Sequence, residues 1–192
     1  MNPLILASSS RYRRMLLERL RIPFDSISPD VDEEAVKQQV ADPIQLATTL
    51  ARAKAIKIFD THPDSTIIGS DQLAACDNQI LGKPHTEENA INQLLSLAER
   101  THQLITAVFI TSPHGHMEFV DITRLAMRPL TRDEARRYVQ ADQPLDCAGS
   151  YKFESLGVTL FDNVQTEDMT AITGLPLMKL AQSLRELGYQ IP

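Results

Sequence analysis

Apolar and polar positions alternate along the chain in short, well-punctuated blocks. Leu4–Ala7 reads as a buried strand, and Ser8-Ser9-Ser10 then supplies caps for a helix over about 11–21, where Tyr12, Leu16 and Leu20 recur at helical spacing. Phe24–Ser28 reads as a second strand, followed by an acidic loop at 29–34. Asp42-Pro43 places a cap before a proline at the first helical position, which predicts a helix to about Phe59. Thr66–Cys76 reads as a long strand, Asp77-Asn78 as a turn and Gln79–Leu81 as its return. Thr86 caps a helix to about Arg100. Leu104–Thr111 and Met117–Met127 read as paired strands around Pro113-His114-Gly115-His116. Thr131-Arg132-Asp133-Glu134 is a capping box opening a helix to about Ala141. An irregular loop over 145–157, a strand at Val158–Phe161 and a helix at Leu175–Leu187, stopped by Gly188, complete the chain. Early alternation followed by long paired strands predicts an α/β fold: a mixed, twisted sheet with flanking helices.

Composition narrows the class. In 192 residues, 43% are hydrophobic and 23% charged, which suits one globular domain rather than a disordered chain. No apolar run approaches the roughly 18 residues a membrane helix needs, and no basic leader precedes Leu4, so neither membrane insertion nor secretion is expected. A net charge of −6 disfavours a nucleic-acid polymer as partner. Cys76 and Cys147 stand far apart without CxxC spacing and read as reduced thiols of a cytoplasmic protein. His114 and His116 read as a surface turn rather than a metal pair.

Several polar residues sit where the apolar pattern does not call for them. Ser8–Arg14 joins a strand end to a helix start with arginines beside it, an arrangement suited either to capping or to holding phosphate. Residues 1–24 carry five arginines against one glutamate, and residues 25–42 carry six acids against one lysine. Lys54 falls within the stripe Ala47, Leu50, Ala51, Ala55 and Ile58. It must either extend along its stem to water or meet an anion in a polar pocket. Asp71 lies between apolar strand residues, where an ionised carboxylate needs a cation or several hydrogen bonds; a metal ligand or general base is the economical reading. Gly69 before it permits a close approach to the backbone. Gly82-Lys83-Pro84 fixes a lysine in a tight turn. Ser150, Lys152 and Glu154 would share one face of an extended segment. GxSxG, GxGxxG and P-loop signatures are missing, which removes the corresponding hydrolase, dinucleotide and NTPase classes.

In order along the chain, Leu4–Arg14, Val31-Asp32-Glu33, Ala51–Ala55, Ile68–Gln72, Gly82-Lys83-Pro84, Cys147–Glu154 and Thr173–Pro176 resemble the motifs of the Maf family of nucleoside triphosphate pyrophosphatases. The resemblance implies a single bilobal domain over 1–192 with a central nucleotide cleft, similar to inosine triphosphatases and often dimeric. It also implies metal-dependent cleavage between the α and β phosphates, with Mg²⁺, Mn²⁺ or Co²⁺ as cofactor. Carried onto this chain, Asp71 would be the general base, Glu33 and Asp71 would hold the metal, and Ser8, Arg13, Lys54 and Lys83 would bind phosphates. Tyr12, Gln72 and Glu154 resemble the specificity residues of the 7-methyl-GTP branch, which often has Trp at the first position. The thymidine and uridine triphosphate branch has Arg, Thr and Gln there. An aromatic face suits the cationic methylated base, and Glu can accept from guanine N1–H and N2–H. The expected partner is a small nucleotide, 7-methyl-GTP. A dTTP/UTP or broad-range pyrophosphatase, and a non-catalytic regulator of cell division, are the alternatives.

Overall fold

A computed structural model describes residues 2–192. Among the described residues, seven strands form one sheet: β1 (Leu4–Ala7), β2 (Asp25–Ile27), β3 (Thr66–Cys76), β4 (Gln79–Leu81), β5 (Thr101–Ser112), β6 (Gly115–Met127) and β7 (Phe161–Gln165). The order is β2-β1-β3-β5-β6-β7, with β4 paired to β3. β1 runs parallel to β2 and β3, whereas β3–β4 and β6–β7 are antiparallel, so the sheet is mixed as the element pattern implied. Six α-helices among the described residues accompany it: α1 (Arg11–Glu18), α2 (Glu33–Gln39), α3 (Pro43–Phe59), α4 (Glu87–Leu97), α5 (Arg132–Asp142) and α6 (Leu177–Glu186).

The caps explain most boundaries. Ser10, Asp42, Thr86 and Thr131 each accept from a backbone N–H three residues on, and Thr131 with Glu134 closes the expected reciprocal box. Asp77 and Asn78 both take positive φ, as a tight hairpin between β3 and β4 requires. Two expectations are corrected. The acidic stretch is not all loop: Asp32 accepts from the Ala35 N–H and starts α2 at Glu33. Leu156–Leu160 is a 3₁₀ helix, so the strand begins at Phe161 rather than Val158. A second 3₁₀ helix, Met169–Thr173, precedes Gly174.

The chain divides into two compact units. The first comprises the chain up to Gln72, Thr106–Asp121 and Asp168–Pro192. Its core joins Leu4 and Leu6 of β1, Leu16 and Leu17 of α1, Ile68 of β3, and Leu177, Leu180 and Leu184 of α6. Side chains alternate along β3, so Ile67, Gly69 and Asp71 face opposite to Ile68, Ser70 and Gln72. Helix α3 lies against the Gly69 face: a Cβ added at Gly69 would stand 2.2 Å from the Ala51 carbonyl oxygen and 2.9 Å from the Ala55 Cβ.

The second unit comprises Leu73–Ile105 and Ile122–Glu167. In it α4 packs on α5 through buried Ile91, Leu94, Ala135, Tyr138 and Val139. His102, Tyr151 and Phe161 form a ring cluster, with the His102 and Tyr151 centroids 5.4 Å apart.

Candidate active site

The close contact at Gly69 sets the geometry. Because β3 and α3 touch through glycine and alanine, the Lys54 side chain reaches Asp71 two residues further along the strand. Lys54 Nζ donates to Asp71 Oδ1 at 2.6 Å and lies 2.7 Å from Glu33 Oε1 at the start of α2. The Lys54 and Asp71 side chains are only 10% and 8% exposed, while Glu33 is half-buried at 43%. Lys54 therefore meets anions in a buried pocket rather than extending to water.

The carboxylates answer this environment differently. Burial pushes the Asp71 carboxyl up, and the Lys54 and Arg13 charges only partly oppose it. Burial also pushes on Glu33, but the Lys54 hydrogen bond and charge, with help from Lys37 and Arg13, hold it below its ordinary value. Burial lowers the Arg13 guanidinium, against the pull of the same two acids. Lys54, Asp71, Glu33 and Arg13 thus form one electrostatic group.

The connection after β1 carries Ser8, and the first turn of α1 carries Arg13. Ser8 is buried, and its hydroxyl accepts from the Ser10 N–H at 3.1 Å. Arg13 Nε donates to the Gly174 carbonyl at 3.0 Å. Tyr12 is half-buried, with the Arg11 guanidinium 4.8 Å above its ring. Gln72 does not end in open space. Its Nε2 donates to Thr106 Oγ1 at 2.9 Å, to the Ala171 carbonyl at 2.7 Å and to the Ile172 carbonyl at 3.3 Å.

Lys83 and Glu154 belong to the second unit, where both are exposed. The Lys83 turn is fastened to α4: Gln93 Nε2 donates to the Gly82 carbonyl and Asn89 Nδ2 to the Pro84 carbonyl. The irregular loop read over 145–157 is turn rather than strand at Ser150, Lys152 and Glu154, so the three share no strand face. Ser150 takes positive φ and its buried hydroxyl donates to Gln93. Lys152 Nζ donates to the Asp142 and Gln143 carbonyls at the end of α5. Only Glu154 of the three stays exposed.

Among the described residues, no cluster of three or more His, Cys, Asp or Glu could hold a metal by itself. Glu33 and Asp71 nevertheless converge on a single cation, the Lys54 ammonium. Two hard carboxylate donors suit Mg²⁺ or Mn²⁺, which complete their shells with water and substrate phosphates. The residues fit a divalent ion that arrives with its nucleotide.

The profile of the family described as "Maf-like protein" matches residues 3–187. The chain belongs to the Maf family. A 7-methyl-GTP pyrophosphatase of Xanthomonas axonopodis pv. citri is 47% identical over 98% of both chains. Another protein of that name, from Bdellovibrio bacteriovorus, is 46% identical over 94% of this chain and 95% of its own. A HAM1 protein from Coxiella burnetii shares the fold, with a TM-score of 0.53 at 13% identity over 97% of this chain and all of that one. In this Maf chain, four groups were not singled out from sequence: Ser70, Thr106, Asp168 and the Gly174 carbonyl. Asp168 alone carried a signal, as an acid just before a helical turn, and it is buried there although Met169 beside it is exposed.

Proposed function

We propose that this Maf chain hydrolyses 7-methyl-GTP to 7-methyl-GMP and pyrophosphate, in the cytoplasm, with a divalent cation. The observation that carries the reading is the buried Lys54–Asp71–Glu33 group beside Arg13, together with the shared name of relatives 46–47% identical over nearly their full length. Among the described residues no helix is long and apolar enough to cross a membrane.

Asp71 and Glu33 would hold the cation, which neutralises phosphate charge and acidifies water. Lys54 engages Asp71 Oδ1, which leaves Oδ2 to take a proton from the attacking water. A new O–P bond forms at the α-phosphorus as the bond to the bridging oxygen breaks. Arg13, Lys54, Ser8 and, by the family pattern, Lys83 bind the phosphates and stabilise charge on departing pyrophosphate. Tyr12 offers its face to the methylated base, whose positive charge would take the place of the Arg11 guanidinium. Glu154 would accept from the guanine edge. Gln72 is committed to protein acceptors through its amide nitrogen, so only its Oε1 could face a base.

The test is a substrate panel with Mg²⁺, Mn²⁺ or Co²⁺, following pyrophosphate release. 7-Methyl-GTP should turn over fastest. Faster turnover of dTTP or UTP would reassign the specificity. Stoichiometric nucleotide binding with no pyrophosphate under any metal would make the chain a non-catalytic regulator.

A further inference from the structure

Residues 168–178 form a strap built from the second 3₁₀ helix, Gly174 and the start of α6. The strap is fastened at both ends by one buried acid. Asp168 Oδ1 accepts from the Thr170 N–H at 2.9 Å and from the Thr170 hydroxyl at 2.6 Å. Asp168 Oδ2 accepts from the Met178 N–H at 2.7 Å, and Thr170 Oγ1 accepts from the Leu177 N–H at 2.8 Å. The middle is fastened to the sheet by Gln72, through the Ala171 and Ile172 carbonyls, and by Thr106 Oγ1, 3.2 Å from the Ala171 carbonyl.

What the strap presents is the Gly174 carbonyl. Gly174 sits at φ +107°, a conformation side chains oppose, and its N–H donates back to the Ala171 carbonyl at 2.9 Å. Its oxygen accepts from Arg13 Nε at 3.0 Å and from Ser70 Oγ at 3.2 Å. Arginine has five N–H donors in a rigid plane. Tying Nε to a fixed acceptor sets the plane of the guanidinium and leaves both Nη groups for an oxyanion, which is the geometry of bidentate phosphate binding. The same Arg13 lies in the field of Asp71 and Glu33. A guanidinium free to turn would pair with those carboxylates instead.

We propose that Asp168 and Gln72 are positioning residues that act on the triphosphate through Arg13, by holding the Gly174 carbonyl against its Nε. This rests on the reading of Arg13 as a phosphate ligand. It gives the Gln72 amide nitrogen a role in phosphate alignment beside the specificity role that the family pattern implies for the residue.

A double-mutant cycle tests it. Asp168→Asn and Gln72→Met are each made in the wild type and with Arg13→Ala, and far-UV circular dichroism with thermal melting checks folding. Two quantities are read: kcat/KM with 7-methyl-GTP and with UTP, and the affinity for inorganic tripolyphosphate by calorimetry. In the wild-type background both variants should lower kcat/KM about tenfold for either nucleotide and weaken tripolyphosphate binding. With Arg13 already removed, the further loss should shrink to about twofold or less. Asp168→Glu, which keeps the carboxylate, should recover part of the loss. Equal losses in both backgrounds would overturn the positioning role while leaving Arg13 a phosphate ligand. Arg13→Ala with unchanged tripolyphosphate affinity would overturn the Arg13 reading itself. Should Asp168→Asn fail to fold, Gln72→Met decides alone. A changed 7-methyl-GTP to UTP ratio with unchanged tripolyphosphate affinity would confine Gln72 to base recognition and overturn its positioning role.

Discussion

Burying Lys54 beside Asp71 removes two charges from water, and their attraction must offset that desolvation. The offset is incomplete at Asp71, whose carboxyl stays above its ordinary value because burial outweighs the cations around it. A raised carboxyl is a better proton acceptor once ionised, which suits a general base. The sign has a consequence for activity. The acidic limb of kcat/KM should lie above the usual carboxylate range, since Asp71 must lose its proton before it can act. Asp71→Asn keeps the shape and can still face Lys54, but it removes the base. Its turnover should fall at least about a hundredfold, with a native circular dichroism spectrum and a lowered melting temperature. A folded variant with near-native kcat would take Asp71 out of the proton-transfer role.

At the scale of elements, the site depends on how closely α3 approaches β3. Gly69 permits that approach, and the expectation of a close backbone partner there is met by the Ala51 carbonyl. Gly69→Ala would force a methyl group into contact with backbone that has no side chain to swing away. The helix must shift, and Lys54 shifts with it from Asp71. Overpacking of this kind should destabilise the protein by about 1–3 kcal/mol or more. The same variant should also lower kcat, measured beside chemical denaturation. A loss of stability with unchanged kcat would mean that the Lys54–Asp71 contact tolerates movement of α3. Periodicity and caps made α3, β3, β4 and α5 legible, because the buried stripe, the Asp77-Asn78 turn and the Thr131 box are local signals. Helix α2 was hidden because its acids read as solvated loop; its start depends on one Asp32 cap and its inner contacts on α3. The loop read over 145–157 holds at Ser150, Lys152 and Glu154, because positive φ at Gly149 and Ser150 turns the chain before a strand can form. Lys54 and Asp71 stood out singly in the sequence, whereas the role of Gly174 lies in a backbone carbonyl and leaves no side-chain trace.

For the whole molecule, the two acids of the site pull acid stability in opposite directions. Glu33 is held low, so its contribution is present above its unfolded value and lost as pH falls through the folded one. Asp71 is held high, so its ionisation opposes folding as pH rises through the same region. Neither sets the acid limit as clearly as His102 in the second unit. His102 is fully buried, its Nε2 lies 2.8 Å from the Tyr151 hydroxyl, and its Nδ1 has no hydrogen-bond partner among the described residues. Burial lowers it from 6.5 to about 4. The unfolded chain therefore takes up a proton at His102 before the folded one does, and stability drains away as pH falls from about 6.5 towards 4. The shift corresponds to a loss of about 2–3 kcal/mol by roughly pH 4.5. His102→Gln keeps a group able to bond the Tyr151 hydroxyl but does not titrate. Denaturant unfolding followed by circular dichroism at pH 7 and at pH 4.5 should show the wild type losing about 2–3 kcal/mol more than the variant between the two. Parallel losses would mean that His102 is already protonated in the folded protein at the lower pH, and that the acid limit is set by the carboxylates around Lys54 instead.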